Sequence, residues 1–562
     1  MQTSDLVLFL VYIGGLVAVA PVLGRWMAAV FEDVAPPGLR FLQPIERAVY
    51  RLSGVRADEE MGWGRYAASL VFFNLLGLLA VAGLQMLQAQ LPLNPQGFPD
   101  VPWPLALNTA ISFATNTNWQ AYSGEATLSY LTQMLGLGVQ NFLSAATGMA
   151  VLLALARGLV RRTGASLGNF WVDVTRATLY VLLPLSFIFA VVLVGQGVVQ
   201  NFYGYVEAHT IEGAIQQIPM GPAASQIAIK QLGTNGGGFL GVNSAHPLEN
   251  PTPLSNLLQL WAILLIPAAL PFTFGRMIRN TRHAWCLFAS MLILFVVGLG
   301  LAYAAEAQLA GQASTGAWEG KEVRHGLASS VLWSVATSAA SNGSVNAMHS
   351  SLSPLAGMVA LFNILLGEVI FGGVGAGLYG LLAFVILAVF LAGLMVGRTP
   401  EYLGKKLGLN EVLWAAVAVL TPCSVVLLGT WLTLIWPGAL DSRANAGPHG
   451  FSEILYAWAS AAGNNGSAFA GLNANTNFFN LGLGLAMLIG RFAVIIPMLA
   501  IAGRLVQRQI TPPSPGTFPT DGLTFVALLV AVILIVGGLT FLPALVLGPV
   551  SDHLLWQAGR TL

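Results

Sequence analysis

Four short, uncharged polar clusters hold the residues best suited to chemistry: Thr115-Asn116-Thr117-Asn118, Thr234-Asn235-Gly236-Gly237, Ser341-Asn342-Gly343-Ser344 and Asn464-Asn465-Gly466-Ser467. Their first residues are separated by 119, 107 and 123 positions, each cluster has Asn second, and three of the four have Gly third. A single Asn-Gly pair marks a turn in any protein, but four at near-equal spacing mark an internal repeat. Oxygens from four such segments facing one another across an axis can replace the hydration shell of a cation. Glycine at the third position admits a backbone conformation that a side chain disfavours and removes the Cβ that would crowd the axis. The clusters contain no Asp or Glu, so the donors are neutral, which suits a monovalent cation better than a divalent ion or a proton.

Two ionisable residues lie inside long apolar runs, Glu368 and Arg491. Such residues are functional candidates by default. Arg491 beneath the clusters would repel a cation moving straight through, or else it snorkels to the interface; Glu368 either lines a pathway or pairs with a base for packing. Near Glu368 lies a glycine-rich stretch containing Gly372, Gly373, Gly375, Gly377 and Gly380, either a gate or side exit or a packing kink. The seven histidines are scattered and no pair has metal-ligand spacing on a helix. There is no G-x-S-x-G elbow, no phosphate-binding G-x-x-x-x-G-K-[ST] loop and no Asp-Lys-Thr-Gly, so no catalytic chemistry is expected in this chain. Cys286 and Cys423 sit in apolar runs and offer neither a disulfide framework nor a cysteine-rich metal site.

The elements that position these groups follow from composition. Charged residues are 8% of the 562, against roughly 25% in a soluble protein, and the net charge of +1 leaves no basic face for nucleic acid. Ten long apolar segments stand at 5–30, 66–88, 127–156, 174–197, 254–275, 284–305, 355–397, 412–436, 478–503 and 522–547. About 20 residues cross the hydrocarbon, so the seventh segment must break, and its glycine stretch is where we expect the break. Charge follows the apolar stretch in the first segment, unlike a signal peptide, and a retained first helix is expected.

Nineteen of the 24 Lys and Arg collect on one side of this alternation, including Arg40, Arg47, Arg51, Arg162 and Arg398. By the positive-inside rule that side is cytoplasmic, which places both termini and the polar clusters outside. The long outer loops carry apolar stretches near 103–114, 222–233, 326–338 and 451–462, too short to span and therefore re-entrant candidates. The predicted fold is an all-α polytopic membrane protein of ten transmembrane helices with four pseudosymmetric membrane–pore–membrane repeats at 66–156, 174–275, 284–397 and 412–503. Extra helices at 1–30 and 522–547 flank them. Re-entrant helices ending at the clusters would aim their carbonyl ends at the ion.

In context the clusters read Ser112-Phe113-Ala114-Thr115-Asn116-Thr117-Asn118-Trp119-Gln120, Gly233-Thr234-Asn235-Gly236-Gly237-Gly238-Phe239, Ser338-Ala339-Ala340-Ser341-Asn342-Gly343-Ser344 and Gly463-Asn464-Asn465-Gly466-Ser467-Ala468-Phe469-Ala470-Gly471. With Asn243-Ser244-Ala245-His246-Pro247, they resemble, nearly end to end, the potassium-binding A subunits of the bacterial Kdp potassium-transporting ATPases. The resemblance implies that the four clusters select K+ and bind no nucleotide, and that Gly372 to Gly380 with Arg491 divert the ion sideways. It implies a bacterial inner-membrane complex with a B-like P-type ATPase catalytic subunit, a C-like accessory subunit and a small F-like subunit. The alternative is a free-standing K+ channel or Na+-coupled K+ transporter of the same superfamily.

Overall fold

The computed structural model describes residues 2–32, 37–161, 164–311, 318–395, 397, 400–512 and 517–560; Arg162 and Arg398 lie outside the described residues. Ten helices among them are long and apolar enough to cross a membrane: Thr3–Phe31, Trp63–Met86, Thr132–Val160, Phe170–Gly195, Pro253–Met277, Thr281–Ala310, Ala376–Met395, Leu409–Ile435, Asn477–Leu505 and Leu523–Gln557. Four short helices, Trp103–Ala114, Ala223–Leu232, Gly326–Ala339 and Gly447–Ala462, lie between successive pairs of spans where the re-entrant stretches were expected. Several starts are set by side-chain caps: Asn169, Thr252, Ser353 and Thr476 each accept a bond from a backbone N–H two or three residues on, satisfying donors that a helix start leaves free.

Burial separates the two helices of each repeat. The most apolar window of the second helix is 83, 78, 67 and 61% buried in repeats one to four, against 22, 33, 50 and 22% for the first. The second helices therefore line the centre and the first ones form the outer wall. The N-terminal helix lies along Pro253–Met277, where Gly15 and Gly24 let the backbones close: a Cβ on Gly24 would sit 2.5 Å from the Ala269 carbonyl. Tyr12 donates to Leu260 O at 3.1 Å and Trp261 Nε1 to Tyr12 O at 3.0 Å across this contact. Small residues and interhelical hydrogen bonds are what hold helices together where lipid is as apolar as the side chains.

The seventh span is broken, but earlier than expected. Pro354–Leu365 and Ala376–Met395 are separate helices, and the irregular backbone between them holds Gly367, Glu368, Phe371 and Gly375 at positive φ. Gly377 to Gly380 belong to the first turns of the following helix, not to the break. On the face opposite the clusters, a small hairpin pairs Glu401–Tyr402 with Lys405–Lys406. Lys405 Nζ donates to the carbonyls of Gly158, Arg161 and Leu505 at 3.0, 2.7 and 2.6 Å. One ammonium thus ties the lower ends of the inner helices of repeats one and four to the loop leaving repeat three.

Candidate ion-binding site

Each short helix ends at its polar cluster, so four helix C-termini, with their unpaired carbonyls, converge on one region. The capping residues are Thr115, Gly233, Ala340 and Gly463, whose N–H groups return to Ile111, Ile229, Ala336 and Ala459. After each cap the chain turns left-handed, at Asn116, Thr234, Ser341 and Asn464, with φ between 49 and 63°. The next residue donates its N–H five positions back: Thr117 to Ser112, Asn235 to Lys230, Asn342 to Thr337 and Asn465 to Ser460. The third residue is left-handed again, Asn118 at φ 54°, Gly236 at 82°, Gly343 at 88° and Gly466 at 93°.

These correspondences shift the first repeat by one residue from the register that its sequence suggests. Thr115 is a helix cap, and the segment equivalent to Thr234-Asn235-Gly236 is Asn116-Thr117-Asn118. The residue at the glycine position is therefore Asn118 rather than Thr117, which is consistent with asparagine's tolerance of left-handed backbone. The space its side chain needs comes from the next repeat: a Cβ on Gly237 would lie 2.7 Å from Asn118 Cβ.

The four segments meet as a closed ring in chain order. A Cβ on Gly236 would fall 1.6 Å from the Asn342 carbonyl oxygen, one on Gly343 2.4 Å from that of Asn465, and one on Gly466 2.0 Å from that of Thr117. The third-position glycines of repeats two, three and four each abut the second-position carbonyl of the next repeat, the fourth closing on the first, while Asn118 of the first repeat packs against Gly237 of the second. Asparagine side chains stitch the ring from behind. Asn342 Nδ2 donates to Lys230 O at 3.2 Å, Asn465 Nδ2 to Thr337 O at 3.1 Å and Asn116 Nδ2 to Thr234 O at 3.0 Å, while the Asn116 and Asn235 side chains meet at 2.6 Å. Ser344 and Ser467 hydroxyls contact the Asn342 and Asn465 side-chain oxygens. The asparagine amides thus hold the backbone open while carbonyl groups remain for a guest.

The broken segment lies directly under this ring. Val374 N donates to Thr234 Oγ1 at 2.8 Å, and a Cβ on Gly373 would lie 3.6 Å from the same oxygen and 3.7 Å from Glu368 Oε2. Gly375 packs on Gly148 of the inner helix of repeat one, where an added Cβ would overlap the Gly148 carbonyl at 2.1 Å, and Gly372 in the break closes on Gly377 in the first turn of the following helix. Arg491 is buried and donates to Ser144 O at 3.2 Å. It does not snorkel; Glu368 Oε1 and Ser341 Oγ are both buried without a hydrogen-bond partner among the described residues. A cavity runs sideways from Asn464 past Glu368 and Arg491 to Val426 and Phe541.

Sequence reasoning missed a buried ion pair. Lys230 and Glu249, both fully buried, are joined Nζ to Oε2, and Glu249 Oε1 accepts from Leu240 N at 2.9 Å. The pair links the end of the second short helix to the loop that follows its cluster. A lone lysine in a stretch otherwise free of charge is the available signal; Lys321, whose ammonium lies 3.4 Å from buried Glu306, is a second buried base.

The arrangement defines a fold class, the membrane–pore–membrane architecture. The fold is similar to the crystal structure of the potassium transporter TrkH from Vibrio parahaemolyticus, with a TM-score of 0.51 and 16% identity, covering 88% of this chain and 98% of that one. The family model described as Potassium-transporting ATPase A subunit matches residues 10–554. The potassium-transporting ATPase potassium-binding subunits of Rhodospirillum centenum and Pseudomonas aeruginosa are 59% and 57% identical to the chain; the alignments cover 100% and 99% of this chain and 99% of each relative. The chain belongs to the potassium-transporting ATPase A subunit family.

Proposed function

We propose that this chain is the potassium-binding subunit of an ATP-driven import complex in the bacterial inner membrane, taking K+ from the outer side in the four-segment ring. The single observation that carries the reading is the seating of Gly236, Gly343 and Gly466 on the next repeat's second-position carbonyl, with Asn118 against Gly237 completing the ring. That packing leaves rows of neutral oxygens around one axis, backed by four helix C-termini, as dehydration of a monovalent cation requires. The coordinating segments are Asn116 to Asn118, Thr234 to Gly237, Ser341 to Ser344 and Asn464 to Ser467, with Thr115 as a supporting cap.

Beneath the ring, the Gly372–Gly377 backbone and the Arg491 guanidinium oppose straight passage. An unpaired cation meeting a buried guanidinium in low dielectric is repelled strongly. The ion instead turns past Glu368 into the lateral cavity, toward a B-like P-type ATPase subunit that hydrolyses ATP, with C-like and F-like subunits completing the complex. The test is extraction from native membranes in mild detergent, identification of co-purifying chains and assay of K+-stimulated ATP hydrolysis. A P-type ATPase partner and stimulation by K+ are expected; a chain that purifies alone and conducts K+ passively after reconstitution refutes the reading in favour of a channel or symporter.

A further inference from the structure

The short helix Gln43–Ser53 and the turn before it have three faces. Leu42, Glu46 and Tyr50 are buried, at the spacing of one helical stripe. Glu46 accepts from Arg176 Nε at 2.9 Å, from Tyr180 OH at 2.6 Å and from Tyr50 OH at 2.8 Å. A second stripe is wholly apolar and unpartnered among the described residues: Phe41 is 69% exposed, Ile45 48%, Val49 38% and Leu52 90%. The third face carries Arg40, Arg47 and Arg51, all exposed.

Depth decides what covers the apolar stripe. Arg176 and Tyr180 stand in the first turns of the span Phe170–Gly195, which has 26 residues and so runs to about 39 Å, against about 30 Å of hydrocarbon. The docked face therefore pins the helix at the level where headgroups meet acyl chains. An apolar stripe at that level with a basic flank is the signature of a helix lying in the membrane plane, and three arginines that pair with no carboxylate among the described residues are complementary to anionic phosphate.

We propose that Gln43–Ser53 is an interfacial anchor, on the membrane face opposite the ring, that buries Phe41, Ile45, Val49 and Leu52 among acyl chains and binds anionic phospholipid headgroups through Arg40, Arg47 and Arg51. The inference rests on nothing in the ring, so it stands or falls separately from potassium binding.

A nitroxide on Ile45→Cys, with Cys286 and Cys423 replaced by alanine, reports its surroundings in the assembled complex in vesicles of phosphatidylcholine and phosphatidylglycerol. The label should relax with dissolved oxygen and be shielded from an aqueous nickel chelate. Full access to the chelate, or shielding from both probes by a protein partner or a second copy, overturns the proposal. In parallel, native mass spectrometry of retained lipid should show phosphatidylglycerol enriched over phosphatidylcholine, and Arg40→Gln/Arg47→Gln/Arg51→Gln should cut that enrichment at least about fivefold. Unchanged enrichment refutes headgroup recognition by these arginines, and a size-exclusion profile identical to that of the native complex shows that the substituted one is folded.

Discussion

Replacing Gly343 by alanine tests the ring directly. Its φ of 88° lies where a Cβ costs about 1–2 kcal/mol. The added atom would lie 2.4 Å from the Asn465 carbonyl oxygen and 2.9 Å from the Gly466 carbonyl carbon, where 3.4 Å is an ordinary approach. Backbone atoms of the neighbouring segment must therefore move by about 1 Å, the kind of overpacking that costs about 1–3 kcal/mol. If only about 1.4 kcal/mol of the combined penalty falls on the ion-bound state, half-saturation by K+ rises about tenfold. Potassium-dependent ATP hydrolysis of the complex, repeated with rubidium and sodium, measures it. We expect at least that tenfold rise with weaker discrimination. The overlaps at Gly236, Gly466 and Gly343, at 1.6, 2.0 and 2.4 Å, predict losses in that order. Gly204, with nothing within 4 Å of an added Cβ, is the control. A folded Gly343→Ala complex with native K+ dependence and selectivity would refute the ring as the binding site.

The register of the first repeat predicts that Asn118→Gly keeps K+ selectivity and shifts half-saturation by no more than about threefold, since glycine adopts the same backbone at no steric cost; collapse of selectivity would restore Thr117 to the glycine position. Lys405→Met removes the donor from three carbonyls and should lower the unfolding midpoint in detergent, at a cost of about 1–3 kcal/mol, with K+ preference unchanged. His349 is buried against Tyr456 OH at 2.9 Å, and burial pulls its pKa from 6.5 down to about 4. The unfolded chain then binds the extra proton first, so stability is complete above pH 6.5 and declines toward pH 4, by at most about 3 kcal/mol. His349→Gln should flatten that limb of the stability profile measured by thermal unfolding.

Span number, the four short helices and the polar clusters were legible because each is written in local composition: apolar length, sub-spanning length and small uncharged residues. Register in the first repeat was not, because Thr115-Asn116-Thr117-Asn118 offers two threonines and two asparagines in alternation, and only the hydrogen bond from Thr117 N to Ser112 O decides between them. Glycine richness misplaced the break in the seventh span. Gly377 and Gly380 serve helix packing, whereas the chain leaves the helix at Leu366 and holds the non-glycine residues Glu368 and Phe371 at positive φ. Tertiary packing on Gly148 and Thr234 supports that backbone, and no window of sequence contains those partners.

The first position of each ring segment explains how a fourfold ring coexists with an asymmetric floor. Positions two and three recur, because Gly236, Gly343 and Gly466 each seat on the neighbouring second-position carbonyl. Position one meets something different in each repeat. Asn116 Nδ2 donates sideways to Thr234 O at 3.0 Å, Thr234 Oγ1 accepts from Val374 N at 2.8 Å, Ser341 Oγ is buried without a hydrogen-bond partner among the described residues, and Asn464 Nδ2 donates to Met487 O at 3.1 Å and to Thr117 Oγ1 at 2.9 Å. A hydroxyl suits the exposed N–H of the broken segment, while an amide reaches the carbonyl of an intact helix. The break in the third repeat therefore touches the ring through the Thr234 side chain, while the Thr234 carbonyl is held separately by Asn116 Nδ2.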